Sequence, residues 1–431
     1  MKKLLSLLLA LMMLFTAAAA IAEEVQINED GEVENPEAIV AGENELIFWS
    51  LFSGGEGGYM EELVKEYNAT NPKMTVRNVM LDWGEYYTKL MTGVSVGKGP
   101  DIGISHIAKL PELYDQGVVV AMDDYAKEAG FDWTQVNQNT LSAATIGGKI
   151  YAVPLDTHPM VCFYNKDLLT QAGVLKEGEA LALPQNADEF FAFMKDLKGK
   201  MPEGTHAMAF PTAGDDPFRL FWALYYQMKG APIITSDLQI KIEKDKTVAA
   251  LDYMKKFYDE GIIPTNLEDY VSYFLGGKAA ITFGGVWNTS ACENTKGLNF
   301  GVISVPKLFD VDAQWGDSHT FVLPVTGDNS REKRVEAMKF FDFASKHSII
   351  WANAGHVVAN VNVIASEEFA KLPYRKDYAD VANHVVFFEA NPYSYPIRDA
   401  IKRQIDLFLA GDQNSAATYD GIVSEIEQII A

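Results

Sequence analysis

The sequence predicts an α/β protein built from two successive strand–helix assemblies. Strand and helix patterns alternate three times between Glu45 and Ser105. At 431 residues, the chain exceeds the roughly 250–300 residues that a single hydrophobic core organises. A strand-like run is also broken in its middle by Pro154-Leu155-Asp156-Thr157-His158-Pro159. The alternation implies a parallel sheet covered by helices. The broken run argues against one central strand and is compatible with a bulged edge strand, because proline donates nothing to a ladder.

The first 22 residues read as a secretory signal. Met1-Lys2-Lys3 is a basic start, Leu4 to Thr16 an apolar run, and Ala20-Ile21-Ala22 a small-residue cleavage site. The apolar run is shorter than the roughly 18 residues of a membrane span, and no Cys follows to carry a lipid anchor. The mature chain is therefore expected in the periplasm or at the outer cell surface. Residues 23–45 hold nine acidic side chains and no Lys or Arg, which predicts a disordered spacer over 23–43.

Order begins with the strand ELIFWSLF, ending near Trp49 and Ser50. The turn SGGEGG starts at Ser53 and matches neither G-x-G-x-x-G nor a P-loop, so its glycines are expected to turn the backbone at the sheet's carboxyl edge. In YMEELVKEYNAT, Met60, Leu63, Val64 and Tyr67 recur at helical spacing. MTVRNVML is the second strand, LDWGEYYTKLMTGVSVG the second helix, and GPDIGIS the third strand. At this edge Asp82, Trp83, Ser105 and His106 join Trp49, Ser50 and Ser53 as candidate ligand groups.

The second assembly opens with FYNKDLLTQAGV, a strand end running into a helix. LPQNADEFFAFMKDLKG is a capped helix, GTHAMAFPTAG a strand, and DDPFRLFWALYYQMKG a helix carrying Trp222. The helix VAALDYMKKFYDEGIIP precedes GGKAAITFGGVWN, which reads as strand, tight turn and exposed Trp287. NFGVISVPKL is the next strand, QWGDSHTFVLPV returns the chain, and REKRVEAMKFFDFAS, IRDAIKRQIDLFLAG and TYDGIVSEIEQII are helices.

Composition excludes several classes. The formal charge is −23, and −25 once Lys2 and Lys3 are removed with the signal. Nucleic acid and anionic lipid both require a basic face, so neither is an expected partner. Cys162 and Cys292 are the only cysteines; one disulfide is compatible with export, and two buried thiols are the favoured expectation. The seven histidines lie far apart without ligand spacing, and no metal site or cofactor is expected.

The stretch GGKIYAVPLDTHPMVCFYNKDLLTQAGV resembles the GGKxYxxPx…YNKDLxxxxG segment of sugar-binding proteins of bacterial ABC transporters, the relatives of maltose-binding protein. FWSLFSGGEGGYMEELVKEYNATNP, GKGPDIGISH, LPQNADEF and GGKAAITFGGVW match in the same order. The resemblance spans roughly residues 44–431. It implies a two-lobed, periplasmic-binding-protein-like clamp with a hinge and a ligand cleft between the lobes. Lobe one is expected over 44–154 plus 320–350, and lobe two over 155–319 plus 351–431. The broken strand becomes the first crossing, with Asp156 and His158 on the cleft floor facing ligand. A titrating His158 there predicts affinity that changes between roughly pH 5.5 and 7.5.

The same resemblance implies a mono- or oligosaccharide ligand, ABC permease subunits as partners, a monomer and no catalysis. It places Gly285 and Trp287 in a sugar-stacking turn, and Asp317 and His319 near the second crossing. Asn353 and His356 fall at an inward helix end, and Tyr395 and Arg398 in a late aromatic-plus-polar region. Trp49, Trp83, Trp222, Trp287 and Trp315 are the candidate stacking surfaces, since an indole offers flat area with little freedom to lose. Two rivals remain. A glycosidase would draw a carboxylate pair from Asp82, Asp101, Asp156 and Asp317. A ferric-ion binder would use Tyr86-Tyr87 or Tyr225-Tyr226.

Overall fold

The computed structural model describes residues 24–431 except 53–55, 177, 266, 268 and 329. The expected signal segment and Ser53 lie outside the described residues. The first sheet begins with β1 (Glu45–Ser50), β2 (Thr75–Met80) and β3 (Ile102–His106), with β1 central and parallel to both neighbours. Leu46 and Phe48 on one face, and Ile47 and Trp49 on the other, are all buried. Such a continuous apolar run is what a strand needs when helices cover both of its faces.

A small hairpin of β4 (Thr145–Ile146) and β5 (Lys149–Ile150) leads into β6 (Ala152–Pro154), an outer strand of the first sheet. One residue later, β7 (Asp156–Asn165) belongs to the second sheet. The broken run is therefore a crossing. The strand does not stop at its prolines, however: all ten residues of β7 are buried and its ladder continues past Pro159. Proline is tolerated because the main ladder of β7 begins at Met160, beyond it.

The second sheet is completed by β8 (His206–Ala209), β9 (Ala279–Gly285) and β10 (Phe300–Ser304), with β7 flanked by antiparallel β9 and β10. The return passage is as short. β11 (Gly316–Asp317) pairs with β7, and after Ser318 alone β12 (His319–Val322) pairs with β3 and β6. β13 (Val357–Val358) then lies beside the first residues of β7, and Ala359 N–H donates to Leu155 O at 3.0 Å.

Each sheet has its own core. The first holds Phe48, Phe321, Phe340 and Phe341, and extends to Trp351, Val358 and Phe369. Trp351, Val358 and Phe369 thus pack with the first sheet although Val357 turns to the second, where the expected boundary fell at 350. Tyr378 and Val381 already pack under the second sheet, so the last passage lies between these points. The acidic segment departs from the disorder its composition predicts. Ile27 bridges Val33, Val33 N–H donates to Met80 O at 2.8 Å, and Asn35 accepts from Gln26 N–H. Two small anchors, Val33 and Pro36, are buried and outweigh the local charge.

Cys162 and Cys292 are free and buried. Burial pushes the Cys292 thiol from 9.0 up to about 12 and the Cys162 thiol higher still. At neutral pH that change alone lowers the Cys292 thiolate fraction about a thousandfold. Native protein is therefore expected to resist alkylation by iodoacetamide until denaturant is added, with two thiols then labelled. Prompt labelling of either thiol in native buffer contradicts this burial.

Candidate ligand-binding cleft

A cavity of about 280 Å³ opens where the two sheets meet. The first lobe contributes Leu51, Glu56, Trp83 and His106. The crossing strands contribute His158, Trp315, Asp317 and His319 to its floor. From the second lobe come Asp215 and Arg219 on the helix Asp215–Gln227, Trp287 after β9, and Tyr395 and Arg398 on the helix Ser394–Ala410.

The aromatic wall is built on a missing side chain. A Cβ at Gly285 would meet the Trp287 ring at about 2.1 Å, so glycine there lets the indole lie back over the end of β9. Trp287 and Trp315 meet edge to face with ring centroids 6.4 Å apart. The Arg219 guanidinium lies 4.8 Å from one ring and 4.5 Å from the other, while Asp216 binds its Nη1 at 2.7 Å. Tyr395 carries the Arg398 guanidinium 4.3 Å from its ring, and Trp83 stands 48% exposed at the rim.

Beneath the floor, Asp156 is wholly buried and fully occupied. Its Oδ1 accepts from the His319 backbone N–H at 3.0 Å and pairs with His158 Nδ1 at 3.0 Å. Its Oδ2 accepts from Trp351 Nε1 at 2.6 Å and pairs with His319 Nδ1 at 2.8 Å. Burial alone would raise this carboxyl's pKa; the imidazoles of His319 and His356 more than offset it and hold it well below the usual range. Asp156 therefore faces four internal groups rather than ligand, which corrects the expectation for it.

The histidines divide accordingly. Burial, aided by the neighbouring His319, pushes His158 down to about 4 and His106 well below its ordinary value. His158 thus stays neutral across the pH window in which its titration was expected. Burial lowers His319 too, but Asp156 outweighs it and the net shift is upward. Asp317 goes the other way: burial lifts it to about 6 against the Ser318 and Ala108 amides, which donate to its Oδ1.

Of the residues expected to bind ligand, Trp83, His106, His158, Trp287, Asp317, His319, Tyr395 and Arg398 line the cavity. Others serve the fold. Trp49 is core, its ring filling the space a side chain at Gly93 would need. Ser50 and Ser105 are buried in strands, and Ser105 Oγ donates to His106 O. Asp82 caps a turn through Glu85 N–H. Trp222 is core and donates to Val386 O. Asn353 turns back onto Ile349 O, and His356 lies under the floor. Gly285 is the seat of Trp287, not a ligand group. Glu56, Asp215 and Arg219 were missed, although SGGEGG and DDPFRLF place charge at the ends of elements that face the cleft.

Two α/β units, joined by single-residue crossings over an aromatic and polar cavity, define a solute-binding clamp. The chain belongs to the bacterial extracellular solute-binding protein family, whose profile matches residues 62–373. A putative binding protein of Brucella abortus (strain 2308) is 25% identical over 343 residues, covering 77% of this chain and 78% of the relative. A maltooligosaccharide ABC transporter solute-binding lipoprotein of Streptococcus pneumoniae (strain ATCC BAA-255 / R6) is 24% identical over 332 residues, 71% of this chain and 70% of the relative. Among solved structures, an ABC substrate-binding protein of Listeria monocytogenes in complex with cycloalternan superposes with a TM-score of 0.76. It is 19% identical, covering 90% of this chain and 98% of that one. UgpB from Mycobacterium tuberculosis in complex with glycerophosphocholine reaches 0.78 at 19% identity, covering 90% and 99%. These likenesses show the fold.

Proposed function

We propose that the protein is the exported, monomeric binding component of an ABC importer, capturing a short neutral saccharide between its lobes for delivery to permease subunits. The observation that carries this reading is the pairing, in one cavity, of indole and phenol rings with planar hydrogen-bonding groups. A pyranose presents an apolar face to the first and a ring of hydroxyls to the second, and a wrong sugar leaves a buried polar group unpaired. The cavity's size is just under the roughly 300–1,000 Å³ of pockets for drug-sized molecules, which suits a mono- or short oligosaccharide. The names of the maltooligosaccharide relatives point the same way.

Most of the groups named for the rival readings are engaged elsewhere. Asp101 accepts from Ile47 N–H and pairs with Lys333, Asp82 caps a turn, and Asp156 is buried behind its partners. Only Asp317 of the four proposed carboxylates lines the cavity. Tyr86 donates to Trp49 O and Ile104 O, and Tyr87 hydrogen-bonds to His106. Tyr225 donates to Ala231 O, while Tyr226 accepts from Ile233 N–H.

A thermal-shift screen of mono- and oligosaccharides tests the ligand class. A cognate sugar at 100 times its Kd is expected to stabilise the fold by about 2.7 kcal/mol. Small-angle scattering should then show a more compact particle, as a closing hinge requires. Scattering curves unchanged at saturating sugar would rule out the clamp, and a screen without any stabilising saccharide would rule out the ligand class.

A further inference from the structure

Three of the seven histidines, scattered in sequence, meet around one carboxylate. We propose that the cleft floor holds a single divalent transition-metal ion of the zinc type, bound by Asp156, His158, His319 and His356. This is independent of the saccharide reading, because it rests on groups beneath the sugar cavity as much as on those lining it. One donor atom from each of the four residues falls in a group whose members all lie within 4.8 Å of one another, and all four residues are buried.

The short distances agree with a shared ion. Zinc bonds of about 2.0–2.1 Å in a tetrahedron set neighbouring donor atoms about 3.3 Å apart. Asp156 Oδ2 stands 2.8 Å from His319 Nδ1 and 3.8 Å from His356 Nδ1, distances that bracket that edge, and Oδ1 stands 3.0 Å from His158 Nδ1. Three imidazoles and a carboxylate are a borderline donor set, suited to Zn²⁺ and its first-row neighbours rather than to Ca²⁺ or Mg²⁺.

His356 supplies the independent observation. It is completely buried, yet its Nδ1 has no hydrogen-bond partner and faces Asp156 Oδ2. Its other nitrogen, Nε2, is held by Glu56 Oε1 at 2.9 Å. Nδ1 and Asp156 Oδ2 thus face each other at 3.8 Å, with no hydrogen bond to Nδ1 and close enough to share one cation, in a site without water's dielectric. A carboxylate orienting the far nitrogen of a ligating imidazole is the usual outer support of a metal site. Trp351 Nε1 and the His319 backbone N–H fix the Asp156 carboxylate in the same way.

The ligands come from β7, β12 and the segment entering β13, the three strands that run together under the cleft. An ion there ties the crossings to one another. To bind it through Nδ1, His158 and His319 each keep one proton, on Nε2, so only a second proton held on His319 against Asp156 would leave on uptake.

The full chain, stripped with chelator and titrated with Co²⁺ and then Zn²⁺, tests the site. The expected result is one ion per chain, an intense visible cobalt band of tetrahedral type that Zn²⁺ abolishes, and release of no more than that one proton on uptake. His356→Gln and His158→Gln should each weaken uptake at least 100-fold, whereas His384→Gln, at the surface beside Asp380, should leave it unchanged. Near-UV circular dichroism reports whether each variant is folded, and if one is not, the wild-type cobalt spectrum and stoichiometry decide. Absence of stoichiometric uptake, a weak octahedral-type cobalt spectrum, or wild-type affinity in folded His356→Gln or His158→Gln would each overturn the proposal.

Discussion

Asp156→Asn is expected to destabilise the unliganded protein by roughly 3–5 kcal/mol, the scale for removing one partner from a buried charged network. The carboxylate has no exposure, and its two oxygens meet an indole N–H, a backbone N–H and two imidazole nitrogens. Asparagine keeps one oxygen and turns an NH₂ group towards donors. His319, whose pKa Asp156 raises against the effect of burial, loses that negative neighbour in the same step. Urea denaturation monitored by tryptophan fluorescence measures the change, with chelator present so that only proton-linked forms contribute. A midpoint and slope equal to wild type would show that the network carries no stability. Because Asp156 lies behind the floor, any loss of sugar affinity should follow the loss of order rather than exceed it.

The second large effect is on binding. Trp287→Ala is expected to weaken saccharide affinity by about 1.5–4 kcal/mol, as for a buried aromatic anchor. The indole lines the cavity, rests over Gly285 and shares the Arg219 guanidinium with Trp315. Truncation removes a stacking face and releases the guanidinium from half of its aromatic seat. Trp287 is only partly buried against the second lobe's cores, so the unliganded melting temperature should change little. Calorimetric titration with the sugar found by thermal shift gives the affinity. If affinity is normal and unliganded stability collapses, the ring is packing and the sugar is held elsewhere.

Much of the architecture could be read from the chain because local patterns report it. Periodic apolar residues marked the strands and helices around β1, β2 and β3, while the proline-bounded stretch showed only an interruption, and the family resemblance made it the first crossing. The chemistry of Asp156 was not legible. Its partners His319 and Trp351 lie 163 and 195 residues away, and no local signal separates a carboxylate that meets ligand from one satisfied inside. The histidine cluster was invisible for the same reason, since spacing rules detect ligands that share one element. Trp49 and Trp222 sit at plausible positions in sequence, but burial decides their role. The acidic segment shows the opposite failure: composition averaged over twenty residues concealed the anchors Val33 and Pro36.

The brevity of the crossings restricts how the two lobes can move. Leu155 and Ser318 are each the sole residue between strands of different sheets, and both are laced to neighbours: Leu155 N–H to His319 O at 2.8 Å, and Ile107 N–H to Ser318 O at 3.0 Å. Few backbone torsions are free there, so sliding or screwing one lobe past the other would tear ladder bonds. What remains is a swing about a single line through these two residues, like a lid on paired pins. A ligand that shuts such a lid has little chain disorder to suppress, so more of its contact energy survives as affinity. Stiffness at two positions in the backbone thereby becomes a property of the solute's equilibrium.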